Sequence, residues 1–486
     1  MDPDAEGRLL TRTLLVGVRL PGATGPAAVE LDGPLVTWTG PADRAAGRPA
    51  ERVEELHGTL LTSPFVDAHV HATASGLLLT GLDLTSCRSG PDVLDAVVAA
   101  PGGLVWGHGW EEDRWADPRL PGRAALDRAS AGRPVYLSRI DVHSALVSTA
   151  LVDRAPQAVG APGWTAEGSL TADAHHHVRR AALAALPTAQ RDAAQRSFLA
   201  HAAGRGIGEV HECAGPEISG EADLAALLAF DGVTGFWGEA VASPEEAREL
   251  CARTGARGLA GDLFVDGSLG SRTAALHAPY RDAPECTGNR YLDDAALVRH
   301  VVACTRAGIP AGFHVIGDAA VESAVAAFEE AASRTSPDAV RAARHRLEHL
   351  EMVDPGQAAR LASLGVVASV QPLFDAAWGG PDGMYAARLG EERALAMNPF
   401  AALHAAGVAL AFGSDSPVTP VDPWATIRAA TAHRTPGSSV DEATALAAHT
   451  GGRPVPVAGG AAGYALWDGD RCLRTVRAGR LLHQAM

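Results

Sequence analysis

The stretch Pro64-Phe65-Val66-Asp67-Ala68-His69-Val70-His71 decides the fold class. It is a short apolar segment that ends in two histidines at positions i and i+2, which lie on the same face of a β-strand. Both imidazoles can therefore reach one metal ion from the end of that strand. The pair is weak evidence alone, because the chain has 19 histidines. A second His-x-His occurs in His175-His176-His177, which we interpret as a solvated polar segment.

Outward from this stretch, apolar segments alternate with alanine-rich helical segments, as in parallel α/β folds. Eight strand–helix units predict a (β/α)8 TIM barrel over 63–445, with an insertion at about 76–205 between the first and second strands. The insertion is rich in Trp, Arg, Asp and His, which suits a lid. The predicted strands are 64–68, 207–212, 234–241, 259–266, 310–314, 346–349, 366–371 and 408–412.

The two ends of the chain differ from the middle in their residue pattern. Short runs of β-type residues, separated by Gly, Pro and Asp, occur near 13–18 and 35–39 and again after 459. We therefore predict one small, β-sandwich-like domain that is composed of 1–62 and 446–486.

Composition excludes several classes of function. The chain carries 41 basic and 57 acidic residues, a net charge of −16, which speaks against nucleic-acid and membrane partners and leaves a small-molecule substrate. None of the basic residues is lysine. A P-loop lysine, a Schiff-base lysine and a carbamylated lysine that bridges two metals are therefore excluded.

Cysteine usage and the first residues bear on the compartment. The six cysteines have no CxxC or framework spacing, so we expect them to be reduced. The acidic start Met1–Glu6 is unlike a signal peptide, and no apolar run reaches the length of a membrane span. We expect a cytoplasmic protein, and the sequence leaves open whether it forms a homo-oligomer.

Three further candidate ligands follow predicted strands. His314 ends the fifth strand, His349 ends the sixth, and Asp415 lies just past the eighth. The carboxyl ends of barrel strands form the active-site face of this fold, so these residues should meet His69 and His71. Four imidazoles and one carboxylate suit Zn²⁺ or a similar divalent metal, as one ion or two.

These motifs resemble those of the metal-dependent amidohydrolase superfamily. The segments that carry the resemblance are 67–71, 314–318, 348–349 and 413–417, and 266–275 looks like a signature of its amidohydrolase-3 group, which includes N-substituted formamide deformylases and YtcJ-like proteins. The resemblance implies hydrolysis of a non-peptide C–N bond, amide or formamide-like, by metal-activated water. Asp415 would then transfer the proton, and His349 or His314 would complete the coordination or stabilise the oxyanion.

One departure from the resemblance concerns the bridging ligand. Relatives often carry a lysine where this chain has Asp262, and no other lysine replaces it. Glu212 is our first candidate for the missing ligand and Cys213 the second, while Asp262 is a third. A salt-bridged structural role for Glu212 stays open.

Substrate contacts are predicted for Arg272, Trp110 and His143. Arg272 could hold a substrate carboxylate or carbonyl in fork geometry, or it could brace the loop after the fourth strand. Trp110 and His143 belong to the inserted segment and could form an aromatic wall. Two alternatives to an amidase stay open: a metal-dependent deaminase of a cyclic C–N substrate, and a non-catalytic protein that only binds metal.

Overall fold

The computed structural model describes residues 11–485, so the prediction from Met1–Glu6 lies outside the described residues. The strands of this part of the chain are β1 (Thr13–Val18), β2 (Ala27–Asp32), β3 (Leu35–Pro41), β4 (Arg52–Glu55), β5 (Leu60–Thr62), β6 (Phe65–Val70), β7 (Leu82–Asp83), β8 (Val105–Trp110), β9 (Val135–Arg139), β10 (Ser144–Val147), β11 (Leu170–Thr171), β12 (Ile207–Ala214), β13 (Val233–Trp237), β14 (Gly312–Val315), β15 (Arg346–His349), β16 (Val367–Val370), β17 (Ala409–Phe412), β18 (Tyr464–Asp468), β19 (Arg471–Arg477) and β20 (Arg480–Gln484).

The helices of the same part are α1 (Ala72–Thr80), α2 (Gly90–Ala99), α3 (Arg123–Ala129), α4 (Thr149–Val152), α5 (Ala172–Ala184), α6 (Thr188–Gly204), α7 (Glu221–Leu227), α8 (Pro244–Thr254), α9 (Asp294–Ala307), α10 (Asp318–Arg334), α11 (Pro337–Ala343), α12 (Pro355–Ser363), α13 (Pro372–Trp378), α14 (Met384–Leu389), α15 (Glu391–Ala394), α16 (Phe400–Ala406), α17 (Pro423–Thr431) and α18 (Glu442–His449). Their ends follow local sequence signals. The side chain of Ser243 caps α8 and Glu246 completes a capping box, while Gly255 ends the helix with φ 73°.

Two parallel sheets occupy the middle of the chain. One has the order β13-β12-β6, and the other has the order β14-β15-β16-β17. An isolated parallel bridge between Val70 and Ser416 links the end of β6 to the segment after β17. The strands carry mostly buried residues on both faces, as expected where helices cover a parallel sheet.

The predicted fourth strand, 259–266, is not a regular strand. This segment makes only isolated parallel bridges, including Leu259 with Ala311 and Phe264 with His314. Gly261 has φ 77°, a left-handed conformation that interrupts the extended backbone. The prediction of a continuous strand is therefore wrong, although the segment lies between β13 and β14 as expected.

Two antiparallel sheets are built largely from the chain ends. One has the order β3-β2-β1-β4, and the other has the order β20-β19-β18-β5, in which Thr62 pairs with Ala465. Ala478 and Gly479 join β19 to β20, and both have positive φ, as a two-residue hairpin turn requires. Residues of both sheets share one hydrophobic cluster that includes Leu15, Leu61 and Tyr464.

The inserted segment has a sheet of its own, with the order β11-β10-β9-β8-β7. Helices α2 and α3 pack together beside it, and its buried tryptophans lie in two separate hydrophobic clusters. Between residues 11 and 485, no helix has the length and apolarity that are needed to cross a bilayer.

Candidate metal centre

Six buried side chains meet where several parallel strands end. His69 lies in β6 and His71 directly after it, His314 lies in β14, and His349 ends β15. Asp415 follows β17, and Asp262 follows the glycine that bends the segment after β13. All six are at most 7% exposed, so the centre is shielded from bulk water.

Backbone conformation turns two of these side chains toward the centre. His349 has φ 68° and Asp415 has φ 52°, a left-handed region that residues other than glycine rarely adopt. In a regular strand, neighbouring side chains point to opposite faces. The left-handed turn at His349 allows both Glu348 and His349 to approach His69. Backbone strain of this kind is typical of functional sites.

Asp262 and Asp415 face the imidazoles of the first strand. Asp262 Oδ1 lies 3.3 Å from His69 Nε2, and its Oδ2 lies 3.2 Å from His71 Nε2. Asp415 Oδ1 lies 3.4 Å from His69 Nε2 and 3.1 Å from His71 Nε2. His349 Nε2 is 4.0 Å from Asp262 Oδ1. The rings of His314 and His349 are in contact, with 4.4 Å between their centroids.

Several of these polar atoms are buried without a hydrogen-bond partner. They include His69 Nε2, Asp262 Oδ1 and Asp415 Oδ1. Leaving buried polar atoms unsatisfied costs free energy, so native proteins rarely do so without a reason. His69, His71 and Asp262 form a group of ligand atoms within 4.8 Å of one another, and so do His69, His349 and Asp415. Nitrogen and carboxylate donors in this arrangement fit a divalent metal ion.

A second layer of hydrogen bonds orients the imidazoles. His69 Nδ1 lies 2.9 Å from Glu348 Oε2, and Arg346 Nη2 donates to the same oxygen at 2.8 Å. His349 Nδ1 lies 2.8 Å from Gln371 Oε1. When each Nδ1 carries the donated proton, each Nε2 presents its lone pair to the centre, which is the tautomer a metal ligand needs.

The pKa values at the centre reflect burial and the charges that surround each group. Burial lowers the pKa of His71, but contact with Asp262 and Asp415 outweighs burial and raises the pKa to about 9. For His349, burial and the neighbouring His314 lower the pKa to about 4. Burial raises the pKa of the Glu348 carboxyl, but Arg346 and His69 outweigh it and hold that pKa well below its usual range.

The proposed replacements for the bridging lysine differ in position. Asp262 is within the cluster. Glu212 is buried, and its Oε2 accepts a hydrogen bond from the Ala72 amide at 2.8 Å. It lies outside both groups of ligand atoms at the centre. Cys213 forms another group within 4.8 Å, on the Nδ1 side of His69 with Glu348.

Of the three residues predicted to contact substrate, the structure brings one to the centre. His143 lines the cavity at the metal cluster, and its ring centroid is 5.2 Å from that of His314. Arg272 instead pairs with Asp282 at 2.6 Å, which is the bracing alternative. Trp110 is 1% exposed, and its Nε1 donates to the Leu137 carbonyl at 2.9 Å within the core of the inserted sheet. Neither Arg272 nor Trp110 is among the residues that line the cavities at the centre.

The interpretation of His175-His176-His177 as a solvated segment is wrong. His175 is 1% exposed and His176 is 9% exposed. The His176 ring stacks on Phe264, with centroids 5.4 Å apart, and on Tyr291, at 5.3 Å. Helix α5 therefore turns this polar sequence inward, against the segment that carries Asp262.

A second cavity adjoins the first. The second cavity is larger than the cavity at the cluster. They share four residues, which therefore separate the two spaces: His143, His314, His349 and Asp415. The remainder of the second cavity is largely apolar and aromatic, with Phe374, Trp378 and Tyr385 among its lining side chains.

Sequence reasoning missed several residues of the site. Glu348 and Gln371 orient ligands, and Arg179 lines the metal-centre cavity. Arg346 and Glu348 are two positions apart on one strand, so their side chains share a face. This spacing could have indicated a buried ion pair beside the centre. No local sequence signal identifies Arg179 as a residue of the site, because the polar sequence of its helix is typical of an exposed helix.

The fold and the centre together define a metal-dependent hydrolase. A model of the amidohydrolase family matches residues 52–453, and the chain belongs to that family. The chain is 27% identical over 457 residues to the protein YtcJ of Bacillus subtilis (strain 168), covering 86% of this chain and 83% of that protein. It is 24% identical over 414 residues to the N-substituted formamide deformylase of Arthrobacter pascens, covering 77% of this chain and 74% of that protein. The crystal structure of an uncharacterized metal-dependent hydrolase from Pyrococcus furiosus has a TM-score of 0.71 and 25% identity, covering 94% of this chain and 98% of that chain.

Proposed function

We propose that this protein hydrolyses a non-peptide C–N bond in a small amide or formamide-like substrate, with Zn²⁺ as the metal. The observation that carries the proposal is the convergence of unsatisfied buried His and Asp atoms, His69 Nε2, Asp262 Oδ1 and Asp415 Oδ1, on one point. Such a donor set, shielded from bulk water and beside a cavity, suits a borderline divalent metal better than Mg²⁺ or Ca²⁺, which prefer oxygen ligands.

The architecture that we propose is a (β/α)8 barrel over 63–445, with a small composite domain from 1–62 and 446–486 and an inserted lid. Parallel bridges on both sides of the irregular segment 258–264 support a continuous sheet from β13 to β14. The bridge between Val70 and Ser416 supports closure between the last strand and the first. The site would then lie at the carboxyl ends of the strands, as in other barrels.

Each residue of the centre has a defined task in this proposal. His69, His71, Asp262, His314 and His349 would hold the ion, together with Asp415. When bound, the ion supplies Lewis-acid activation of water and of the substrate carbonyl. Asp415 accepts the proton of the attacking water and delivers it to the leaving nitrogen. His143, which has a lowered pKa of about 4 because of burial and of His314, is a neutral donor or acceptor for the substrate.

Metal analysis and a substrate screen test the proposal together. Purified protein should contain Zn²⁺ or accept it after removal with a chelator. The zinc-loaded protein should then form both a new amino group and a new carboxylate from at least one member of a panel of N-formyl amines, N-acyl amino acids and cyclic amides. Release of ammonia without a new carboxylate would instead indicate a deaminase. Absence of metal binding would refute the proposal.

A further inference from the structure

Arg179 occupies an unusual position beside the metal centre. It lies on α5, is 6% exposed, and lines the same cavity as His71, Asp262 and Asp415. Among residues 11–485, no side chain or backbone group forms a hydrogen bond or an ion pair with its guanidinium. The inserted segment therefore contributes a buried positive charge without a protein partner.

The other buried arginines of the described chain differ in this respect. Arg139 pairs with Asp113 at 2.6 Å, Arg346 pairs with Glu348, and Arg388 pairs with Asp282 at 2.7 Å. A buried charge is expensive unless it is paired, so this is the usual arrangement. Arg179 is the exception, and it is also the one that opens into the cavity at the cluster.

Around Arg179 lie imidazoles and two carboxylates that already face other groups. Burial, and secondarily the charge of Arg179, lower the pKa of His176 to about 3. Burial, His176 and Arg179 together hold the pKa of His175 well below its usual value. These neighbours are therefore neutral. The nearest acidic groups that share the cavity are Asp262 and Asp415, which face the imidazoles of β6.

Charge balance points to an anionic ligand. The two aspartates of the centre offset the charge of one divalent ion, which leaves the guanidinium unbalanced by any side chain that lines the cavity. The planar fork of a guanidinium matches the two oxygens of a carboxylate. Arg179 lines only the cavity at the cluster, whereas Phe374 and Trp378 line only the second cavity. In the proposed reaction the scissile bond lies at the residues that the two cavities share, with Arg179 on one side and the aromatic side chains on the other.

We propose that Arg179 binds a carboxylate of the substrate, so that the natural substrates are amides that carry a carboxylate on one side of the scissile C–N bond and an apolar group on the other. This inference rests on the proposed hydrolase function for the reaction itself. It replaces Arg272, whose guanidinium is already paired with Asp282, as the carboxylate-binding residue.

Matched probes test binding without turnover. Benzoylpropionate mimics N-benzoylglycine with a CH₂ group in place of the amide N–H, and benzoylpropionamide is its neutral partner. On zinc-loaded wild-type protein, calorimetry should show the acid binding at least about tenfold more tightly than the amide. Arg179→Gln should remove this preference. Arg180→Gln is the control, because Arg180 is exposed on the same helix and pairs with Glu217.

Equal affinities of the two probes for the wild-type protein, including no binding of either, would overturn the inference. An unchanged preference for the acid in a folded Arg179→Gln variant would overturn it too. Hydrolysis of N-benzoylglycine and its carboxamide is measured separately. Binding of the acid through Arg179 without hydrolysis of any amide would refute only the proposed function. Hydrolysis of neutral amides without a preference for the acid probe would refute only the role of Arg179.

Discussion

Asp415 contacts the imidazoles of His69 and His71 and lines both cavities, which makes it the best-placed proton acceptor of the centre. Asparagine keeps the size of the side chain but cannot accept the proton. We expect Asp415→Asn to lower kcat by about 10²–10⁴-fold. Steady-state kinetics and metal analysis of the same sample check this expectation. Asp441→Asn, at the exposed cap of α18, is the matched control, and activity near the wild-type value in Asp415→Asn would contradict the role.

Asp262 and Glu212 can be distinguished by metal content. Asp262 contacts His69 and His71, whereas Glu212 caps the amide of Ala72. We expect Asp262→Ala to lose at least one bound ion and Glu212→Ala to keep the wild-type stoichiometry. Because the chain has no lysine, reconstitution of the metal-free protein should not depend on bicarbonate. Loss of an ion from Glu212→Ala alone would reverse this assignment.

The pH dependence of metal binding follows from His71. Its pKa is raised to about 9 beside Asp262 and Asp415, so the imidazole of the metal-free protein is protonated at neutral pH. A metal ligand must be deprotonated, so binding releases a proton and the affinity for Zn²⁺ rises with pH up to about pH 9. Calorimetry in two buffers of different ionisation enthalpy measures the proton release. An affinity for Zn²⁺ that stays constant between roughly pH 6.5 and roughly pH 8.5 would contradict the assignment of His71 as a protonated ligand.

At the scale of elements, β15 shows how one strand supplies both a ligand and its support. The side chains of Arg346 and Glu348 lie on the same face of β15, because the two residues are two positions apart. The left-handed backbone at His349 turns the His349 side chain to the same interior. Glu348 contacts His69 Nδ1, which directs Nε2 to the centre. This arrangement accounts for a ligand on β6 that is oriented by a residue on β15.

Glu348→Gln tests that orientation. The amide keeps an acceptor for His69 but loses the charge that pairs with Arg346. We expect the affinity for Zn²⁺ to fall by about 10–100-fold, measured by competition with a chelator on protein that circular dichroism shows to be folded. Glu329→Gln is the control, because Glu329 forms an exposed pair with Arg360. An unchanged affinity in Glu348→Gln would show that His69 is oriented by other contacts.

At the scale of the whole molecule, the C-terminal sheet packs against the strand that carries the metal ligands. Trp467 of β18 contacts Phe65 of β6, with ring centroids 5.5 Å apart, and Trp424 of α17, at 5.4 Å. Its Nε1 donates to Thr62 Oγ1 at 3.0 Å. The two ends of the chain thus support the first residue of β6, the strand that carries His69 and leads into His71.

Trp467→Ala should therefore destabilise the protein strongly. Removing a fully buried aromatic side chain typically costs about 3–5 kcal/mol. Denaturation by urea measures the change in the free energy of unfolding. Trp38→Ala is the comparison, because Trp38 is half-buried and stacks under Arg48 at 4.3 Å, so its loss should be smaller. Equal losses for the two variants would contradict this account of the interface.

Local patterns predicted the strands of the two parallel sheets and the positions of the ligands along them. The predicted segments at 310–314 and 346–349 correspond to β14 and β15. Periodicity did not reveal that Gly261 interrupts the segment 259–266, because a left-handed glycine leaves the apolar pattern intact. The polar composition of the segment also led to the wrong prediction that His175 and His176 are solvated. Composition shows how polar a segment is, but it does not show which face of the helix packs against the protein.

By itself the sequence determined the α/β class and the identity of the histidines and of Asp415 as candidate ligands, because these depend on short apolar runs and on the polar residues at the end of each run. Only the tertiary structure decided that Asp262 lies beside these candidate ligands and that the guanidinium of Arg272 pairs with Asp282. It also decided that Arg179 lines the cavity at the cluster. The physical reason is that these outcomes depend on contacts between segments far apart in the chain. Such contacts arise from the way the inserted segment and the strand ends pack, and no local periodicity encodes them.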